Sequence, residues 1–521
     1  MNKFARYFYT ISSLTSEQIF FQLVFRLKKI FHYKWNRNTT NENLLLIVPR
    51  YLPTKKTVIS TVPPCIKLLN IVQTFNQSID WNIKSNGALW NYHLQYVEFL
   101  LDPDLKISIK EDWLLDISNK ILSNELRPEA FPCSIRIIHT LLFHHQIERD
   151  IPEIKNAILL QLNWLQTNLE KHIQANHLLI NKIALSFGEI FFGSEINIKS
   201  HEELIKEIKK QITSDGMHYE RSPMYHMEVM KLLLSLYGVC QEQNSSLKLN
   251  LHSTLQKMAS WLFTFKNDFN YVPPFQDSTL SSIGLASDLL NICDRLMIPY
   301  NIVQLDQCGY RILKTDVHTV WINGGSIQPD YQPGHAHSDM VHFAWAFQNQ
   351  PIIVDTGIST YESSQKRLFE KSTSAHNTVN LGNINQSDIW SSFRVGKRAR
   401  IQILKDQAKH FGAEVTFASP DSFKHTRHFI LTEHVLTIED KTNTLEISTA
   451  HFHFDHTIKD QIEIINQNSI KIKNFLIQWN GAVKITKHTY DQALDFNTTT
   501  PSVKIEIEFK EHLITQIHLN A

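Results

Sequence analysis

Through the first 300 residues apolar side chains recur every three or four positions, so that segments of helical length each carry one apolar stripe. Residues 113–122, 134–145, 153–169, 177–192, 202–212 and 223–237 follow this spacing and read as a row of antiparallel helices. Nearer the start, Thr15-Ser16-Glu17-Gln18 has the form of a capping box. Ile19, Leu23, Leu27 and Ile30 then repeat at helical intervals, with Arg26, Lys28 and Lys29 in the last turns. Packing on its own domain is the expected role of this amphipathic helix, and contact with an anionic membrane surface is the alternative. The period changes beyond residue 301. Segments 319–322, 340–347, 351–354, 414–417, 428–431, 435–438, 451–454 and 503–509 are short, β-branched or aromatic, and mostly bounded by turn formers, which predicts strands of an antiparallel sandwich. Glycine usage agrees, with 6 of the 15 glycines before residue 301 and 9 after it. Two domains are therefore expected, a helical one over 1–300 and a sheet one over 301–521, joined near 294–310.

Composition narrows the function. Of 521 residues, 42% are hydrophobic and 20% charged, a globular balance. Lys and Arg total 52 against 51 Asp and Glu, and a net charge of +1 gives no electrostatic reason to expect a nucleic-acid partner. Cys65, Cys133, Cys240, Cys293 and Cys308 form no C-x-x-C pair and are expected to be buried free thiols. Ser12, Ser13, Ser16, Glu17 and Gln22 interrupt the N-terminal stretch, so no secretory core is evident, and no apolar run reaches the length of a membrane span. A cytoplasmic location is the expectation that follows. The 26 histidines carry more information, because neutral imidazole serves as metal ligand, proton shuttle and hydrogen-bonding group.

The densest cluster of such groups is Gly334-His335-Ala336-His337-Ser338-Asp339. If this segment is extended, His335, His337 and Asp339 share one face. Asp355 emerges after the apolar run 351–354, and His376 lies in Ser374-Ala375-His376-Asn377-Thr378. Two imidazoles and a carboxylate suit Zn²⁺ with a fourth position left open; separately hydrogen-bonded groups at strand ends are the other reading. His451-Phe452-His453-Phe454 alternates as a half-buried strand does and is read as structural. In the helical half, Ser222-Pro223-Met224-Tyr225 places an N-cap and a first-position proline before Tyr225, where the helix dipole would ease loss of the phenolic proton. A tyrosine that merely packs at the helix entrance is the plainer alternative. Asn176 is read as the N-cap of the following helix, with His177 in its first turn.

At these residues the chain resembles the heparinase II/III-like polysaccharide lyases, which are related to one group of alginate lyases. The similarity is carried by Asn176-His177-Leu178-Leu179, by residues 215–226 and 333–339, by 352–357, and by 372–379 extended through Gln386 and residues 390–394. Residues 80–92 and 132–136 are similar more loosely. The resemblance implies an N-terminal incomplete (α/α) toroid followed by a C-terminal antiparallel β-sandwich. It implies that Asn176 and His177 neutralise a uronate carboxylate, that Tyr225 is the catalytic tyrosine and that His335 is its partner. It also implies that His337, Asp355 and His376 hold a structural zinc ion. Some members use a second tyrosine from the sandwich, for which Tyr361 is the nearest match.

The activity implied is β-elimination on a uronate-containing acidic polysaccharide. A C5 proton leaves only if the adjacent carboxylate is neutralised, a base faces C5 and an acid faces the oxygen on C4. Asn176 and His177 would meet the first need, Tyr225 or His335 the second, and Tyr225 the third. A zinc-dependent glycan hydrolase built on His337, Asp355 and His376, and a glycan-binding protein without turnover, are the rival readings. Members of the family often act outside the cytoplasm, which keeps the cell envelope or periplasm in view.

Overall fold

The structure is a computed structural model that describes residues 3–30, 56–147, 151–193, 199–240, 245–283, 285–472 and 474–519. Two helices, α1 (Lys3–Ser12) and α2 (Ser16–Ile30), precede a three-stranded antiparallel sheet of β1 (Val58–Thr61), β2 (Pro64–Leu68) and β3 (Ile71–Thr74). The capping box forms as expected: the Gln18 N–H donates to Thr15 Oγ1 at 3.1 Å and the Thr15 N–H to Gln18 Oε1 at 3.0 Å. The small sheet was not expected, because its strands are too short to show a period.

Helices then follow one another: α3 (Ala88–Gln95), α4 (Ile107–Leu122), α5 (Ala130–Phe143), α6 (Pro152–Thr167), α7 (Ala175–Phe192), α8 (His201–Gln211), α9 (Pro223–Val239), α10 (Ser245–Phe265), α11 (Leu280–Ile283) and α12 (Ala286–Arg295). Helices α5 and α7 are apolar on nearly every side and lie at the centre of the helical core. Helix α8 is amphipathic, with Glu202 and Glu203 in its first turn and Lys209 and Lys210 in its last, as the helix dipole favours. Among the described residues no helix is long and apolar enough to cross a membrane. The five cysteines are free; four are buried and Cys65 is half-buried.

The second half is sheet-rich. Strands β4 (Tyr310–Lys314), β5 (His318–Asn323), β6 (Phe343–Phe347) and β7 (Gln350–Ile353) form a four-stranded antiparallel sheet. Next come β8 (Val379–Leu381), the hairpin of β9 (Ile389–Ser391) and β10 (Arg394–Val395), then β11 (Arg400–Gln407), β12 (His410–Thr416), β13 (Lys424–Leu431), β14 (Val435–Thr442) and β15 (Ser448–His453). They are followed by β16 (Ile462–Asn466), β17 (Ser469–Ile472) and the long hairpin of β18 (Phe475–Asp495) and β19 (Thr498–Leu519). All but β9 and β10 belong to one sheet, along β11-β12-β13-β14-β19-β18-β17-β16 with β15 joining β19 to β8. The two sheets face one another through aromatic side chains, Phe343 on Phe429 and Phe452, and Trp345 on Phe475. Beneath them Arg427 is wholly buried; it pairs with Asp440 and donates to the carbonyls of Val341 and Asn377, fixing the segments that lead to the site.

The expected helical region followed by an antiparallel sheet domain is therefore present. Residues 334–339 depart from expectation, since they form a turn and a loop, with strand β6 starting only at Phe343. The Ala336 N–H closes a turn on the Pro333 carbonyl and the Ser338 N–H bonds the Lys371 carbonyl, so the backbone is diverted from sheet pairing. The three polar side chains consequently do not share one face: Asp339 receives Gln276 Nε2 at 2.6 Å, while both histidines turn to Asp277.

Candidate active site

The halves meet where α9 begins. Ser222 caps that helix by accepting the Tyr225 N–H at 3.2 Å, and its own hydroxyl donates to the Asp277 carbonyl at 2.7 Å. One side chain thus sets both the first turn carrying Tyr225 and the loop carrying Asp277. The Tyr225 ring stacks on the His335 imidazole, with centroids 3.9 Å apart and planes at 27°, and its hydroxyl lies 3.1 Å from that of Tyr361. A phenol from the helices, an imidazole from the sheet domain and a second phenol are thereby assembled. Burial pushes both phenols above their usual range, outweighing the relief that Tyr361 gives Tyr225. Burial thus opposes the easing expected from the helix dipole and keeps Tyr225 a neutral phenol, a weaker acid than in water.

His335 is oriented by acids that the sequence reading did not single out. Its Nδ1 faces Asp277 Oδ2 at 2.8 Å, where it donates, and its Nε2 lies 3.4 Å from Glu220 Oε2. Burial raises the Glu220 carboxyl above its ordinary value. Asp277 is wholly buried. Burial opposes its charge, but Arg367, with Nη1 and Nη2 at 2.6 and 2.7 Å, and the two histidines hold it well below the carboxylate range. Arg367 comes from the short helix α13 (Gln365–Glu370) and lies over the rings of Tyr361 and Phe393. Lys371 follows that helix and donates to the carbonyls of Gly334 and Ser392, tying the His335 turn to the tip of the β9–β10 hairpin.

Asn176 lies inside the first turn of α7, because the N-cap is Gln174. Gln174 and Ala175 both have positive φ, 65° and 52°, a strained entry that turns the Asn176 N–H onto Glu220 Oε1 at 2.8 Å. Glu220 therefore joins the start of α7 to His335. His177 Nδ1 bonds Glu170 Oε1 at 3.0 Å; burial opposes its charge, yet Glu170 carries it above its ordinary value and so favours the protonated imidazole. Glu170 was not singled out in the sequence, and Glu220 entered only within the stretch 215–226 without a role, since isolated acids have no period or spacing.

A second group lies behind His335. His342, Asp355 and His376 are buried with ligand atoms within 4.8 Å of one another, and could hold a metal ion. Asp355 Oδ2 is 2.8 Å from His342 Nε2 and 3.1 Å from His376 Nδ1, and Gly357, at φ 70°, donates its N–H to Asp355 Oδ1. A side chain at Gly357 would meet the Ala493 carbonyl at 2.7 Å. His337 touches the same group, with Nδ1 3.3 Å from His376 Nε2, while its Nε2 donates to Asp277 Oδ1 at 2.8 Å. His451 and His453, by contrast, bond Asn380 and Asn377 while Phe452 and Phe454 enter the core, the structural role read from their alternation.

Comparison with known proteins agrees with this architecture. The family model described as Heparinase II/III N-terminus matches residues 132–292, and that described as Heparinase II/III-like, C-terminal matches residues 297–518. A heparin-sulfate lyase of Pedobacter heparinus is 28% identical over 137 residues, which are 25% of this chain and 20% of that protein. The crystal structure of a heparinase III superposes with a TM-score of 0.68 at 17% identity, covering 86% of this chain and 80% of the other. A heparan sulfate lyase from Pedobacter heparinus gives 0.56 at 15% identity, with coverage of 86% and 80%. These structural likenesses bear on the fold. With both family models in sequence order over most of its length, the chain belongs to the heparinase II/III-like family.

Proposed function

We propose that this protein is a polysaccharide lyase that cleaves an acidic, uronate-containing glycan by β-elimination, of the glycosaminoglycan kind that its relatives' names specify. The observation that carries the reading is the Tyr225–His335 stack, with the Tyr361 hydroxyl 3.1 Å from the Tyr225 hydroxyl, at the junction of the helical and sheet halves. A uronate set against the exposed edge of this group would have its carboxylate beside Asn176 and His177. His335 Nε2, freed by the Asp277 bond on Nδ1, or Tyr361 would take the C5 proton. The neutral Tyr225 phenol would give its proton to the departing oxygen on C4.

The buried group fits Zn²⁺ by its donors, and hydrogen bonding favours one ligand set. The Asn377 N–H donates to His342 Nδ1 at 2.8 Å, so the neutral His342 keeps its proton on Nε2 and turns it to Asp355. His337 Nδ1 and His376 Nε2 face one another as lone pairs when their other nitrogens donate to Asp277 and Asp355. Their 3.3 Å separation equals the edge of a tetrahedral site with Zn–N bonds of about 2.0 Å. Asp355 accepts from the far nitrogen of His376, so an ion at this edge would be held by His337 and His376, with Asp355 orienting the His376 ring and His342 bracing Asp355. When bound, zinc would tie together the loops that carry His335 and Tyr361. A hydrolytic zinc needs an open position, and the side chains of His337, His376 and Asp355 are 0%, 0% and 2% exposed. That burial favours the lyase over the hydrolase. Replacing Tyr225 by Phe should abolish elimination with the fold intact; undiminished turnover by this variant would remove the proposal.

A further inference from the structure

Helices α1 and α2 are turned against the usual sense. Their polar side chains face the protein: Arg6 pairs with Asp388, Thr10 bonds the Val395 carbonyl, Gln18 is wholly buried and reaches the carbonyls of Ile173 and Tyr331, and Gln22 reaches that of His172. Tyr7, Phe21 and Phe25 pack on Trp390, Lys171 and His172, but a second set of apolar side chains faces outward, with Phe4 88%, Phe8 67%, Ile11 53%, Phe20 60%, Leu23 57% and Leu27 57% exposed. Each set recurs at helical spacing, so each helix presents one continuous apolar stripe. Scattered exposed apolar residues need no explanation, but two successive helices with this inversion do. The charges decide what covers them. Lys3, Arg26 and Lys29 are exposed on the same two helices, while Lys28 bonds Thr167 and Asn168 and their one carboxylate, Glu17, is engaged by Gln174.

We propose that the outer faces of α1 and α2 dock on an anionic lipid surface, the apolar stripes entering the headgroup boundary and the basic residues meeting lipid phosphates. A second copy of the chain is disfavoured by the same charges, since pairing would set two cationic faces together. The proposal is independent of the chemistry assigned to the cleft. The test is sedimentation of the full chain with vesicles of phosphatidylcholine alone and of phosphatidylcholine mixed with phosphatidylglycerol. Binding should be at least about tenfold stronger to the anionic vesicles and fall with added salt. Phe8→Glu with Leu23→Glu, both at exposed positions, should abolish it, and Arg26→Glu with Lys29→Glu should remove the preference for anionic lipid. Turnover on a soluble polymer should stay unchanged in both variants. Equal binding to both vesicles, or none, overturns the proposal. So does a dimer that the Phe8→Glu, Leu23→Glu variant dissociates.

Discussion

Replacing Asp277 by Asn removes one buried negative charge while keeping the side-chain shape, and so isolates what that charge does. The carboxylate accepts from His335 Nδ1 and His337 Nε2 at 2.8 Å each and pairs with Arg367 at 2.6 and 2.7 Å. An amide can accept through one oxygen only, and its NH₂ must face donors. Arg367 is then left as an unpaired buried cation, for which a loss of about 3–5 kcal/mol of stability is expected. Catalysis should suffer separately, because nothing then requires His335 to carry its proton on Nδ1; a wrong tautomer at a comparable acid–histidine pair costs up to about 10⁴ in kcat. Initial rates read from the ultraviolet absorbance of the unsaturated product, beside thermal unfolding, distinguish the two effects. Adding Arg367→Met should recover most of the stability and none of the rate. An Asp277→Asn enzyme with wild-type kcat would refute the assignment of Asp277 as the residue that positions His335.

Tyr361→Phe should lower kcat about 10- to 100-fold with little change in KM if the Tyr361 hydroxyl takes part in proton transfer, as steady-state rates will show. Zinc per chain, measured by elemental analysis, should fall sharply in His337→Ala and His376→Ala but by much less in His342→Ala; equal losses in all three would contradict the tautomer argument. For Asp440 burial opposes charge, but Arg427 and His425 prevail and lower its carboxyl from 3.8 to about 2. This contribution, about 2–3 kcal/mol, is full above pH 3.8 and lost as pH falls through about 2. Denaturant midpoints of the wild type and of Asp440→Asn should therefore converge by that amount between pH 5 and 2.

The two-part fold was legible because its signals are periodic. The apolar spacing in 153–169 and 177–192 survives as α6 and α7, and the alternation at 451–454 as β15. Tyr225 was legible through its cap, since Ser-Pro before an apolar run fixes where a helix starts. What was hidden depends on folding rather than on spacing. Asp277 follows a proline pair in a loop and gains its role only when that loop threads between Ser222 and His335. His342 could not be told from a core histidine until the Asn377 N–H was seen on its Nδ1. The turn at 334–339 could not be told from an extended segment, because alternating histidines imitate a strand. The small sheet of β1 to β3 went unseen because strands of four or five residues carry no readable period.

The central claim is that bond cleavage proceeds by elimination across the Tyr225–His335 pair. Mass spectra of the oligosaccharides released from heparan sulfate or another uronate polymer address it directly. The account predicts new non-reducing ends lighter by one water than hydrolysis would leave, formed by the wild type and absent with Tyr225→Phe. Saturated ends that take oxygen from labelled solvent, or products that persist in that variant, would contradict it.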